Sequence, residues 1–277
     1  MTQYINTTPG MATAALAASL LAGTPAWAQD KTAADAWRFQ LTPYVWMTGL
    51  DGSVRPFRGA PTVNVNKSFT DILEDLDAAA FVNGTARKGQ YVLQGDFSYA
   101  ATSDKAALPL GLSANAKIRQ TSLTMTGGHN WMLSPQSSVD LMAGLRLWQI
   151  KAEVSVPGVG SAQSNTSFVD PVVAARWRYD IAPRWSTLVY ADMGGLDVGS
   201  KFTWQVHGSV NYQVKENIFV SVGYRHLSVD YHDDGKRLDF SQSGPIVVRR
   251  SGSDNHQRIA NTQPVRPAAA TPHAAMA

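Results

Sequence analysis

Cysteine is absent from all 277 residues, which excludes a disulfide framework, thiolate metal sites and a cysteine nucleophile. Charge is scarce: Asp, Glu, Lys and Arg make up 16% of the chain, against roughly 25% in a typical soluble domain. A strongly basic surface, the footprint of a nucleic-acid binder, is also missing. The pI is near 9.1, but the excess sits at one end. From Arg249 onward four arginines face Asp254 alone, and the 248 residues before them balance 20 basic against 20 acidic groups. Long apolar runs are lacking too. Beyond residue 28 nothing approaches the roughly 18 uncharged apolar residues that mark a membrane helix, so the body can cross a bilayer only as a closed barrel.

The N-terminus carries the one uncharged apolar run, residues 11–23, followed by Ala26-Trp27-Ala28. A run of that length before a small-residue site has the form of an export signal, although residues 1–10 hold no Lys or Arg. Residues 1–28 are therefore expected to be a signal peptide and 29–249 a barrel. Residues 250–277, rich in Pro, Ala, Asn and Gln, form a tail too poor in apolar content to pack.

The body alternates apolar and polar residues in stretches of about ten, broken by turn residues. The pattern predicts an all-β antiparallel barrel of about ten strands (8–12 allowed) at 37–49, 78–88, 90–101, 115–131, 138–152, 168–180, 185–198, 201–214, 218–230 and 237–248. Connections at 89, 134–137, 181–184 and 215–217 are short; those at 51–77, 102–114 and 153–167 are long, as in barrels that cross a membrane. One face of each strand can be chosen free of charge, such as Phe39, Leu41, Val45 and Met47, or Tyr91, Leu93, Phe97 and Tyr99. A lipid-facing Arg or Lys near the bilayer midplane costs about 2–4 kcal/mol, which accounts for the exclusion. Trp37, Tyr91, Trp131, Tyr179, Trp185, Tyr212 and Phe219 fall at the short-turn ends, where an aromatic girdle would meet the headgroups.

In combination, Leu41–Gly52, Ser68–Asp77, Ala86–Gly89, Gly144–Trp148, Val169–Pro171, Gly223–Tyr231 and Gly244-Pro245 resemble a family of uncharacterised, porin-like bacterial outer-membrane β-barrels of about 250 residues. The resemblance covers about residues 37–246 and implies a fold and an outer-membrane location, reached through the periplasm. It implies no reaction and no substrate. Such proteins end on an apolar strand closing with an aromatic residue; here Ile246-Val-Val is followed by Arg249-Arg250 and the tail. The implied partners are the lipid bilayer, lipopolysaccharide and the barrel assembly machinery, with no nucleic acid, no cofactor and a monomeric state.

The face opposite the apolar one carries Arg38, Asp96, Arg146, Asp170, Arg176, Arg178, Asp192, Arg225 and Asp239. These are expected in the lumen, either as a selectivity lining or as a neutralised network filling a narrow barrel. A segment in the first long loop, Asp71, Ile72, Leu73, Glu74, Asp75, Leu76 and Asp77, puts its apolar residues on one helical face. It could fold inward as a constriction or simply cover the rim. Lys117 and Arg119 point outward near the loop end, where lipopolysaccharide phosphates would lie. His226, His232, Asp233 and Asp234 lie close in sequence, but Asp-Asp-Gly is an ordinary hairpin turn, and no metal is expected. No nucleophile elbow, HExxH or phosphate loop is present. His207 with Asp192 or Ser209 is the one conceivable rim hydrolase, and the chain is read as a non-enzyme: a porin-like or structural barrel, or else a surface-interaction protein working through its loops.

Overall fold

The computed structural model describes residues 36–55, 58–59, 62–107, 113–158, 160–215, 218–233 and 235–251. The expected signal segment and the tail from 252 onward lie outside the described residues. Twelve strands and one short helix follow in order: β1 Arg38–Trp46, β2 Gly49–Arg55, β3 Val63–Lys67, α1 Phe69–Glu74, β4 Leu76–Lys88, β5 Tyr91–Ala107 and β6 Ser113–Ser134, then β7 Ser137–Val156, β8 Gly160–Ala182, β9 Trp185–Gly195, β10 Phe202–Lys215, β11 Ile218–Asp233 and β12 Lys236–Ser251.

All strand pairings are antiparallel, and β12 closes the sheet on β1 through Tyr44–Val248 and Trp46–Ile246. β2 continues β1 in the same register on β12, with Gly49 opposite Ser243, and Met47 N–H donates to the Pro245 carbonyl across the gap at 2.9 Å. The two form one stave, so the barrel has ten staves. β3 is an extra strand, hydrogen-bonded to β2 at the long-loop rim. Directly opposed residues can be traced from Gln40 through Thr85, Gln94, Thr126, Gly144, Val172, Gly194, Thr203, Val229 and Phe240 to Gly52. The row returns to its own stave twelve residues further on. A stagger of this kind obliges the strands to tilt, by about 35–45° in such barrels.

The ten expected strands are all present, but two of the three expected long loops, 102–114 and 153–167, are mostly strand. β5 and β6 extend to Ala107 and from Ser113, with seventeen consecutive residue pairs in register. β7 and β8 pair up to Val156–Gly160. Hydrophobic alternation fades in these polar extensions, yet the backbone ladder continues because each hairpin carries its own partner. The β9–β10 turn is low by comparison. It adopts left-handed backbone at Leu196 (φ 51°) and Asp197 (φ 61°), and folds so close to β8 that a side chain at Gly199 would meet the Val169 carbonyl at 2.3 Å.

The outer surface of the short-turn half is apolar: Phe39, Leu41, Leu93, Met125, Leu141, Val173 and Val222 are each half or more exposed. Trp37, Tyr91, Trp131, Tyr179 and Trp185 are exposed at its lower edge, and Trp185 lies 4.7 Å from Tyr212. Phe219 departs from the expected girdle. It points inward, 8% exposed, under the Arg250 guanidinium at 4.5 Å.

On β11 the alternation changes phase with no bulge against β12. Val220, Val222 and Tyr224 point out beside inward Ser221 and Arg225; further along, Leu227, Val229 and Tyr231 point in, and His226, Ser228 and Asp230 point out. β12 does the same, which corrects the placement of Asp239. Its strand buries Leu238 and Phe240 inside, so Asp239 lies on the outer face and pairs with Arg237 at 2.8 Å. The upper lumen is thus an apolar core of Trp46, Trp148, Phe168, Leu227, Val229, Tyr231, Leu238, Phe240 and Ile246. Truncating its large members leaves a cavity, and Phe240→Ala is expected to lower unfolding free energy by about 3–5 kcal/mol, measured by urea titration of the refolded protein.

Candidate functional site

Strand parity delivers the inward polar residues of β4 to β11 into the lower and middle lumen, and most of the expected charges meet there. Arg146, 1% exposed, is held on three sides: Nε donates to Thr124 Oγ1 at 2.8 Å, Nη1 to Thr203 Oγ1 at 3.2 Å and Nη2 to Asp192 Oδ2 at 2.6 Å. Gln205 Nε2 donates to the same Asp192 oxygen at 2.5 Å. Arg225 sends Nε to Gln205 Oε1 at 3.0 Å, Nη1 to the Tyr44 hydroxyl at 2.6 Å and Nη2 to Asp96 Oδ1 at 3.2 Å. Its guanidinium also lies 4.6 Å from the Trp46 ring centroid. Asp170, fully buried, accepts the Ser200 N–H at 2.6 Å and so ties the low β9–β10 turn to β8.

A second cluster lies nearer the short turns, centred on Asp140, which the sequence reading missed together with Arg87. Asp140 accepts Arg87 Nη2 at 2.6 Å, Arg176 Nε at 2.8 Å and Asn130 Nδ2 at 2.7 Å. Its parity with Arg146 on β7, and that of Arg87 with Asn83 on β4, was the signal available. Arg178 is half-buried at the lower end of this region. Arg38 stays at the exposed short-turn rim, opposite Arg87, where it borders a cavity together with Arg87 and Arg178.

These contacts span the barrel. In stave order β7 and β12 stand opposite each other, and Trp148 and Phe240 meet at 6.4 Å between ring centroids. Phe168 of β8 stacks on Tyr231 of β11 at 4.3 Å, and Gln120 of β6 donates to Gln242 of β12 at 3.0 Å. Arg225 and Asp96 likewise bridge β11 and β5. Below this filling a cavity of about 120 Å³ remains, lined by residues including Tyr44, Asp96, Arg176, Tyr190, His207 and Arg225.

The expected constriction segment stays out of the lumen. Residues 69–74 form α1, in which no residue is buried and Leu73 is 52% exposed. Ser68 caps the helix reciprocally with Asp71, an arrangement that satisfies the free N–H groups of its first turn. The Ser68 hydroxyl and N–H hold the Asp71 carboxyl below the usual carboxylate range, so this cap is complete at neutral pH and is lost on acidification through that lowered range. Lys67 binds Asp75 and reaches Asp104 at 2.6 Å, and Ser103 donates to Asp77 at 2.5 Å. Leu76 and Asp77 already belong to β4. The loop is pinned to the rim because its polar ends find partners on β3 and β5.

The other candidates disperse. His226 bonds Ser243 Oγ at 2.6 Å and lies 4.7 Å from the Trp204 ring on the outer face, whereas His232 pairs with Asp230 at 3.2 Å; Asp234 lies outside the described residues. His207 and Ser209 both face inward two residues apart on β10, but His207 Nε2 has no hydrogen-bond partner among the described residues. Asp192 Oδ2 is held by Arg146 and Gln205, and no hydrogen bond joins the Asp192 carboxylate to His207.

The fold defines the class: a closed, ten-stave antiparallel β-barrel. No protein-family model matches the chain, and no curated protein sequence matches it. Among solved structures, the outer membrane protease OmpT from Escherichia coli is similar over 77% of this chain and 96% of its own, at 10% identity and a TM-score of 0.45. The toluene transporter TodX of Pseudomonas putida is similar over 79% and 91% respectively, at 9% identity and a TM-score of 0.30. One is named a protease and the other a transporter, and neither carries a role over to these residues.

Removing one partner of a buried ion pair leaves an uncompensated charge. Asp192→Ala is expected to cost about 3–5 kcal/mol, and Arg146→Leu with Asp192→Leu less than the two single changes together, read as thermal midpoints in a double-mutant cycle.

Proposed function

We propose that the protein is an integral outer-membrane barrel with a lumen closed to bulk solutes, acting as a structural element of the envelope or through its rim rather than as a diffusion pore. The observation that carries this reading is the set of contacts between opposed staves: an aromatic layer above and arginine–carboxylate bridges below. The apolar outer belt with its lower aromatic edge supports membrane embedding, since an exposed surface of that extent is unstable in water. The phase change on β11 and β12 fits a barrel that stands above the bilayer, where water replaces lipid as the outer solvent. A self-closed barrel needs no partner strand, in keeping with a monomer, and neither a cofactor nor a catalytic role is invoked.

The rim reading has its own support. Lys117 and Arg119 are exposed on the outer face, and Arg119 stands directly opposite Lys151 in the β6–β7 register. Glu153, opposite Lys117 on the same face, offsets one of the three charges; the excess that remains, with like charges side by side, suits lipopolysaccharide phosphates at the upper margin of the belt.

Single-channel recording of the refolded protein in a planar bilayer tests the proposal. The wild type is expected to be silent, and the combined Trp148→Ala, Phe168→Ala and Tyr231→Ala variant to give measurable steps. Regular open-channel steps from the wild type would overturn the closed-lumen reading. For embedding, Val222→Arg is expected to cost about 2–4 kcal/mol in liposomes, and Ser228→Arg, further up the same face, within about 0.5 kcal/mol.

A further inference from the structure

We infer that the cavity in the lower lumen binds a small oxyanion of the phosphate class, held by Arg176, Tyr190 and His207. This stands independently of whether the upper lumen is closed. The three residues are consecutive in one row across neighbouring strands, Arg176 opposite Tyr190, Tyr190 opposite His207, and His207 in turn opposite Arg225. Adjacent strands are about 4.7–4.9 Å apart, and the inward curvature of the barrel brings the tips of these side chains closer than their backbones.

Arg176 and Tyr190 are 5% and 4% exposed, and both line the cavity. Arg176 Nη2, the Tyr190 hydroxyl and His207 Nε2 lack a hydrogen-bond partner among the described residues, as do two acceptors beside them, Gln94 Oε1 on the same cavity wall and Asp192 Oδ1 near the Tyr190 hydroxyl. Arg176 can only donate, the tyrosine hydroxyl donates, and the imidazole donates from Nε2 in one of its tautomers. The donors outnumber these acceptors, which suits a ligand rich in acceptor oxygens that also carries a hydroxyl, as a protonated phosphate does.

Charge points the same way. The sole carboxylate lining the cavity is Asp96, and it is already engaged by Arg225, Tyr44 and Asn83. Behind the wall, one carboxylate, Asp140, serves two guanidinium groups, Arg87 and Arg176. Water would fit, since about 120 Å³ holds several molecules at roughly 10–15 Å³ each, but it would leave this positive charge uncompensated. An oxyanion satisfies donors and charge together, and three converging donors suit a tetrahedral ion better than a planar carboxylate, which offers two oxygens. Access is from the short-turn end, where half-exposed Gln40 and Arg178 border the cavity.

The experiment is titration of inorganic phosphate into the full chain refolded in detergent, at fixed chloride, followed by calorimetry and by phosphorus NMR line broadening. The expected result is saturable binding at one site, weakened about tenfold or more by Arg176→Gln, as for a lost charged hydrogen bond, and severalfold by Tyr190→Phe. Arg55→Gln on the upper rim should leave it unchanged. Absence of saturable binding at millimolar phosphate would mean the cavity holds only water and overturn the inference, as would equal affinity in the wild type and both lumen variants. Should Arg176→Gln fail to fold by gel mobility, Tyr190→Phe, which removes a single hydroxyl, decides alone.

Discussion

Closure of the sheet is the constraint from which the rest of the structure follows. A ten-stave ladder whose row returns twelve residues further along its own strand has no free edge at the level where it closes. It also fixes which half of the side chains must occupy a narrow interior. Barrels of about eight strands are just filled by their own side chains. Two more staves leave room that long residues can bridge, and the lumen is accordingly crossed by Arg, Trp, Tyr and Phe reaching from one wall to the other. The arginines extend far enough to meet carboxylates on distant staves, and their planar, many-donor heads satisfy Asp, Thr, Gln and Tyr at once.

The second constraint is the pair of solvents on the outside. Along β11 a single unbroken strand exchanges its apolar face from out to in between Tyr224 and Leu227. Below that point the exterior is apolar and the interior polar; above it the arrangement is that of a water-soluble barrel. The same backbone geometry serves both halves, because alternation dictates only that neighbouring residues face opposite ways, not which side is wet. The buried charges belong to the lower half and the aromatic layer to the upper half, the division that the proposed embedding, with lipid outside the lower half and water outside the upper, would impose.

Function follows from where the filling is complete and where it is not. In the middle of the barrel almost every charged group is matched, and such a network specifies one packed arrangement. It becomes a liability if one member is lost. Nearer the short turns the matching is incomplete: Arg176, Tyr190 and His207 stand around a cavity that two-to-one pairing at Asp140 leaves positive. Unpartnered polar atoms occur elsewhere in the barrel too, but this row sets them around a cavity with an excess of arginine, and that combination distinguishes a place for a ligand from mere filling.

By itself the sequence determined the number of staves, their order and the polarity of most faces, because period-two patterning is local and each strand states its own parity. Arg146, Arg176, Asp192 and Arg225 were legible as inward for that reason. The reversal in Val220, Val222, Tyr224 and then Leu227, Val229, Tyr231 is also written in the chain, although its meaning depends on knowing which solvent lies outside. What only the tertiary structure decided is which charge meets which. Asp140 with Arg87 and Arg176, Asp96 with Arg225, and the exclusion of Asp239 and Arg38 from the network all depend on the stagger around the barrel, which sums the registers of ten separate pairings. The rim position of residues 71–77 was likewise undecidable from an amphipathic pattern, since it rests on Lys67 of β3 and on Ser103 and Asp104 of β5, whose contacts follow from a pairing register that the pattern does not state.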